Sequence, residues 1–323
     1  MSDDLYHGLR VQCINSSAEY TAEYTLDTCI GDGVSGSVYS CVGNDTTAIK
    51  VFSYEDDHEH ETRVWNSIDD PAFFGVGILE SMDLLCVVLR RYDASLYQLS
   101  YPKLQASIVG MGVKARQSTM AAIDYRQITA SKCIASVLEE LVRMHEKGWV
   151  HMDIKSPNIM VKSIDHTSSN FLKMQLVDFG RSVKLDSTGY YWNHDVAAEP
   201  VGGAYSCMPL EVLRMIQHQY KRLPPTHSQR FGAKVDSFSV GVMLYNMILG
   251  EYPNGIFPSE RKYIRQIMNV LQEEAWKTKK NMFLLWPETK DFLNKSMVIS
   301  DDERWSCKEL KSHPFLTKYT QFL

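Results

Sequence analysis

Gly31, Gly33 and Gly36 in IGDGVSGSVY strip the side chains from a short loop, which lets backbone N–H groups approach phosphate oxygens closely. A dinucleotide site uses the same GxGxxG spacing but opens a helix. Here the loop runs into Ser37 to Val42, an alternating stretch suited to a strand, so a strand–loop–strand flap over nucleotide phosphates is expected. A plain hairpin turn is the bland alternative. Lys50, in TAIKVF, stands where a strand lysine can reach under such a flap, and it needs a carboxylate to hold it. On a helix Glu59 and Glu61 point in nearly opposite directions, and only Glu61 shares a face with Val64, Trp65 and Ile68, so Glu61 is the expected partner. Two further polar clusters follow: His151, Asp153, Lys155 and Asn158 within WVHMDIKSPNIMV, and Asp178 with Phe179 and Gly180 within LVDFG.

The elements that must position these residues fall into two groups. From Thr25 to Phe52 β-prone runs alternate around the glycine turn as a strand meander, and LLCVVL (84–89) closes a further strand. Between them the polar stretch SYEDDHEH leads into a short helix, ETRVWNSI. Residues 1 to about 25 lack periodicity and read as a tail or an extra edge strand. Beyond Tyr92 a long amphipathic helix is expected, with Ile134, Val137, Leu138, Leu141 and Met144 on one stripe and a stop at Gly148. Residues 101–125, broken by Gly110 and Gly112, read as an inserted loop or a short helical excursion. SFSVGVMLYNMIL is apolar on nearly every side, as befits a helix buried at the centre of a helical lobe.

The series His151, Asp153, Lys155 and Asn158 resembles HxDxKxxN, the catalytic loop of the eukaryotic protein kinase superfamily, in the form seen in its serine/threonine group. With the glycine loop, Lys50 and DFG in order, the resemblance runs from about residue 26 to HPFL at 316. It implies an α+β, bilobal protein kinase fold. The β-rich N-lobe would span about 26–91 and the mostly helical C-lobe about 92–316, with a tail or strand at 1–25 and a C-terminal tail at 317–323. It also implies a serine/threonine protein kinase that uses ATP and Mg2+ on a protein substrate. In such an enzyme Asp153 would accept the proton of the substrate hydroxyl, Lys155 would stabilise the transferring phosphoryl group, and Asn158 and Asp178 would hold the metal. Lys50, held by Glu61, would meet the phosphates. The flap Gly31, Asp32, Gly33, Val34, Ser35, Gly36 and Ser37 would cover them. By position, Ile30, Val38 and Ala48 would roof the adenine, Met160 would form its floor and Leu89 would guard the back. The backbone at Arg90 and Tyr92 would meet the base edge. Glu211, in PLEVL, would pair with Arg304, in DDERWS, and Asp236 would head the buried helix.

Three departures from the family pattern stand out. Met152 replaces the arginine before the catalytic aspartate. Ala204, or Ser206 in a slipped alignment, stands where a threonine is usual. Leu210 replaces the proline of the Ala-Pro-Glu segment, with Pro209 one residue early. Such drift is of the kind a divergent, viral lineage would show. Ser187, Thr188, Tyr190 and Tyr191 offer acceptors for autophosphorylation, but Met152 cannot pair with a phosphate there. A pseudokinase scaffold would lose Lys50, Asp153 or Asp178, and none is lost. A small-molecule kinase shares the lobes, but Lys155, Glu211 and the long segment from Asp178 to Glu211 suit a protein substrate.

Composition removes other classes. The 323 residues are 44% hydrophobic and carry a net charge of -5 without a long basic run, so no nucleic-acid partner is expected. The start, MSDDLYHGLR, is no secretory signal, and the apolar stretch from Phe238 to Leu249 is too short to span a bilayer, so no membrane partner is expected. Seven cysteines without a CxxC pair suit reduced thiols in an intracellular, cytoplasmic or nuclear, setting.

Overall fold

The computed structural model describes residues 6–14, 20–98, 113–161, 174–192, 201–221, 230–253 and 264–317. The chain divides into two compact units, 1–93 with 178–180 and 94–177 with 181–323, so it passes from the larger unit to the smaller at Asp178 and back at Arg181.

The smaller unit is a closed antiparallel barrel built from β1 (Arg10–Ile14), β2 (Tyr20–Gly33), β3 (Gly36–Cys41), β4 (Asn44–Phe52), β5 (Phe73–Leu79) and β6 (Leu84–Arg90), in the order β1-β2-β3-β4-β6-β5. Residues 10–14, open in the sequence between tail and edge strand, pair on both sides, with Val11 opposite Tyr24 and Leu79. The barrel therefore has no free edge at that seam. Val11, Leu26, Ile49, Leu79 and Val88 fill it.

Helix α1 (Glu55–Ile68) begins three residues after β4, so the polar run 53–60 is not a lead-in, as the sequence reading has it, but mostly the first turns of the helix. Glu55, Asp56 and Asp57 lie in that first turn, where negative charge complements the unpaired N–H groups of a helix start. The face that α1 buries is Glu61, Val64, Trp65 and Ile68, joined by His58.

In the larger unit α2 runs unbroken from Val113 to Glu146. This corrects the expectation for residues 113–125, which are continuous with the long helix rather than an inserted loop or a separate short helical excursion; residues 101–112 lie outside the described part. Gly112 does mark a boundary, but beyond it no glycine or proline interrupts the chain before Gly148, and VKARQSTMAA is mostly good helix formers. The stripe Ile134, Val137, Leu138, Leu141 and Met144 is buried. Helix α3 (Leu210–Tyr220) precedes α4 (Lys234–Leu249), which is buried on nearly every face. Short strand pairs carry the polar clusters: β7 (Ala94–Ser95), β9 (Ile159–Val161) and β10 (Met174–Leu176) form one sheet, and β8 (Trp149–Val150) pairs with β11 (Val183–Lys184). Among the described residues no helix is long and apolar enough to cross a membrane.

Candidate active site

Strand register aligns the flap with the lysine. Gly31 faces Val38 across β2 and β3, and Val38 faces Lys50 across β3 and β4. At Gly36 (φ +149°) a Cβ would lie 2.1 Å from the Val51 carbonyl oxygen, so only glycine closes this turn against β4. Ser37 Oγ donates to Asp32 Oδ1 (2.7 Å), and Val34 at the tip is exposed. Ile30 is also largely exposed, whereas Ala48 is buried and paired with Leu89. The Arg90 amide is spent on the Ala72 carbonyl (2.8 Å), which leaves the Arg90 carbonyl as the group able to meet a base edge. Tyr92 is half-buried near the end of this unit.

Lys50 is 7% exposed at its side chain, and its Nζ donates to Glu61 Oε2 at 2.6 Å and to Asp178 Oδ1 at 3.2 Å. Burial opposes the ammonium charge, but the two carboxylates outweigh it and the Lys50 pKa is raised. Burial also draws the Glu61 pKa upward, against the pull of Lys50. Asp178 is in the left-handed region (φ 66°), an uncommon setting for a side chain other than glycine and one found at functional sites. Phe179 beside it is buried, edge-on to Trp65 of α1 at 4.5 Å.

The larger unit holds the second cluster. Asp236, in the first turn of α4, is fully buried and accepts hydrogen bonds from the amides of His151 (2.8 Å) and Met152 (3.0 Å), and it pairs with His145 Nε2 (2.9 Å). A single carboxylate thus anchors the loop to the core helix, with Met152 bent into the left-handed region (φ 68°). Asp153, one residue on, is buried. Its Oδ2 accepts from Lys155 Nζ (2.7 Å) and Asn158 Nδ2 (2.9 Å), and its Oδ1 from the Ala204 amide (3.0 Å). Asn158 Nδ2 also donates to the Asp153 carbonyl (2.9 Å), so its Oδ1 is the atom left for a cation. Met160 is half-buried in β9, opposite Gln175 and Ser95.

The Ala204 contact to Asp153 and the Gly203 turn that permits it escape sequence reasoning. Where the family pattern has a threonine, the contact to Asp153 comes from the backbone N–H of Ala204, while Ser206 is buried beside Cys207. A main-chain donor leaves no trace in residue type. The approach is possible because Gly203 (φ +132°) precedes it: a Cβ there would lie 2.9 Å from the Met152 carbonyl and 3.3 Å from Asp153 Oδ1. Glu211 and Arg304 meet as a fork, Nη1 to Oε1 at 2.6 Å and Nη2 to Oε2 at 3.3 Å.

The sequence matches the protein kinase domain family over residues 24–316. It is similar to mitogen-activated protein kinase kinase kinase 17 of Arabidopsis thaliana, 24% identical over 91% of this chain and 70% of that protein. It is also similar to the delta subunit of calcium/calmodulin-dependent protein kinase type II of Oryctolagus cuniculus, 26% identical over 60% of this chain and 31% of that protein. The chain belongs to the protein kinase family and, at the level of that family, is an ATP-dependent serine/threonine protein kinase.

Proposed function

We propose that this chain transfers the γ-phosphoryl group of ATP to a serine or threonine hydroxyl of a protein substrate. The observation that carries this reading is the Asp153 carboxylate held by Lys155, Asn158 and the Ala204 amide, a proton acceptor fixed beside a cation. Asp153 takes the proton of the attacking hydroxyl, and Lys155 offsets charge on the transferring group. Lys50, kept charged and oriented by Glu61, serves the nucleotide phosphates. The flap from Gly31 to Ser37 supplies backbone N–H groups to the phosphates. Ile30, Val38, Ala48 and Met160 serve the adenine faces, and the backbone at Arg90 and Tyr92 serves its edge.

The donor chemistry fits a hard cation: a carboxylate at Asp178 and an amide oxygen at Asn158, with the Asn158 nitrogen already committed. Bound Mg2+ would neutralise charge on the β- and γ-phosphates. The seven cysteines are thiols rather than disulfides and six are buried, which supports an intracellular, cytoplasmic or nuclear, setting. The test is transfer of radiolabelled phosphate from ATP to casein, to myelin basic protein and to the chain itself. Transfer that depends on Asp153 and yields phosphoserine or phosphothreonine supports the reading; equal transfer by Asp153→Asn refutes it.

A further inference from the structure

Glu61 carries one oxygen that the Lys50 pair does not explain. Its Oε2 is taken by Lys50, while Oε1 is buried without a partner in good hydrogen-bond geometry. One helical turn along α1, on the same buried face, Trp65 Nε1 is buried in the same condition. The first atom can only accept and the second can only donate, at a spacing that brings side chains together. The indole has little freedom to turn away. It stacks on Phe73 at 6.0 Å with 10° between planes, and Phe179 meets it edge-on at 4.5 Å. At 1% exposure it has no access to water that would satisfy its N–H instead.

From this we propose that Trp65 is a positioning residue for the phosphotransfer reaction: its indole N–H donates to Glu61 Oε1 and fixes the carboxylate in the orientation that holds Lys50. The inference rests on the role proposed above for the Lys50–Glu61 pair. The electrostatics agree with it, since the indole pulls the Glu61 pKa down while burial pushes it up. The consequence is specific to tryptophan. An aliphatic side chain or a phenylalanine would fill the same space against Phe73 and Phe179 but would leave Oε1 with nothing, and a carboxylate with a free torsion holds its lysine less often in one place. Because Phe179 follows Asp178 directly, the same indole also ties α1 to the 178–180 segment, so one ring reports on both carboxylates that Lys50 meets.

The experiment is a double-mutant cycle on the full chain, read as kcat/KM for ATP. Trp65→Phe alone is expected to lose about tenfold, the worth of one hydrogen bond to a charged group. In a Glu61→Gln background the same change is expected to cost less than about twofold, because the carboxylate it serves is gone. Equal losses in both backgrounds, or no loss in either, would overturn the proposal. Full activity of Glu61→Gln by itself would overturn the role assigned to Glu61, and the inference with it. A spectroscopic arm needs no substrate: with six tryptophans, the 15N-indole spectrum is resolvable, and the Trp65 N–H resonance should move upfield on Glu61→Leu, which removes the acceptor altogether. An unmoved resonance counts against the bond. Should Trp65→Phe not fold, 3-benzothienylalanine at position 65, which exchanges the N–H for sulfur at nearly constant shape, makes the same comparison.

Discussion

Replacing Arg304 by alanine should lower the melting temperature of the chain by roughly 10 °C. The guanidinium is fully buried, and its donors are all engaged in directions only a planar fork reaches: two bonds to Glu211, and single bonds to the carbonyls of Val298 (3.1 Å), Ile299 (3.2 Å) and Lys234 (3.4 Å). It also lies 5.2 Å from the centre of the Phe238 ring. Truncation leaves a carboxylate only 18% exposed without its cation, an uncompensated charge costing about 3–5 kcal/mol. For a unit of this size 1 kcal/mol moves the melting temperature by about 2–4 °C. Arg304→Lys should recover only part of the loss, since an ammonium cannot replace the fork. Glu211→Gln with Arg304→Met, which removes both charges, should lie closer to the parent than Arg304→Ala. Differential scanning calorimetry measures all three. A melting temperature for Arg304→Ala within about 2 °C of the parent would show that the carboxylate finds water or another donor, and the reasoning would fail.

Lys50→Met and Asp178→Asn should each abolish phosphotransfer without loss of fold, while Asp153→Asn should be inactive yet bind ATP with near-parental affinity by calorimetry, because the role proposed for Asp153 is toward the hydroxyl rather than the nucleotide. Burial opposes protonation of His145, but the Cys307 sulfur and Asp236 outweigh it and raise its pKa from 6.5 to about 10. The charged form is therefore favoured by folding, so the stability it brings is complete below about pH 6.5 and fades as pH rises towards 10. Thermal melts of parent and His145→Gln should differ most near pH 6 and converge by about pH 10; a gap that widens with pH would contradict this. Protein stripped by phosphatase should transfer phosphate within about twofold of untreated protein, and alanine at Ser187, Thr188, Tyr190 and Tyr191 together should be tolerated, as measured by initial rates.

What was legible in the sequence was whatever chemistry writes into residue type and spacing. The Gly31–Gly36 loop, the inward face of α1 with Glu61 and the apolar helix of SFSVGVMLYNMIL follow from residue spacing and periodicity, while Asp236 at the head of that helix came from the family resemblance. The extent of α1 and α2 did not, because an acidic first turn resembles a loop until its fit to the helix dipole is weighed, and a weakly periodic one carries no stripe to mark it. The β1 seam was harder to read: its alternation of exposed and buried residues spans only five residues, and its second partner, β5, is remote in the sequence. Trp65 read as core, since an indole N–H seeking a carboxylate and an indole filling space are the same letter. The Ala204 contact was out of reach altogether, as the donor is the main chain.

The loss of arginine at Met152 bears on how the segment after Asp178 is ordered. Lys184, a cation of that segment, is committed elsewhere: its Nζ donates to the Lys147 carbonyl (2.5 Å) and sits 5.2 Å from the Trp149 ring. Order comes instead from contacts already encoded in the unmodified chain. Asp186 accepts from the Thr188 amide and hydroxyl, the Tyr190 amide and the Trp192 indole, which hold its pKa down to about 2 and keep it charged over the working range of the enzyme. Tyr191 and Trp192 pair as a strand with Arg230 and Phe231, and the Arg230 guanidinium lies over the Tyr190 and Trp192 rings at 4.0 and 5.2 Å. A phosphate on Thr188 would place a second anion beside the Asp186 carboxylate and take away the hydroxyl proton it accepts, so modification there would work against the turn. In this chain a carboxylate and a cation–π contact do the ordering that a phosphate and an arginine do where both are present, and Met152 is free to be an apolar core residue.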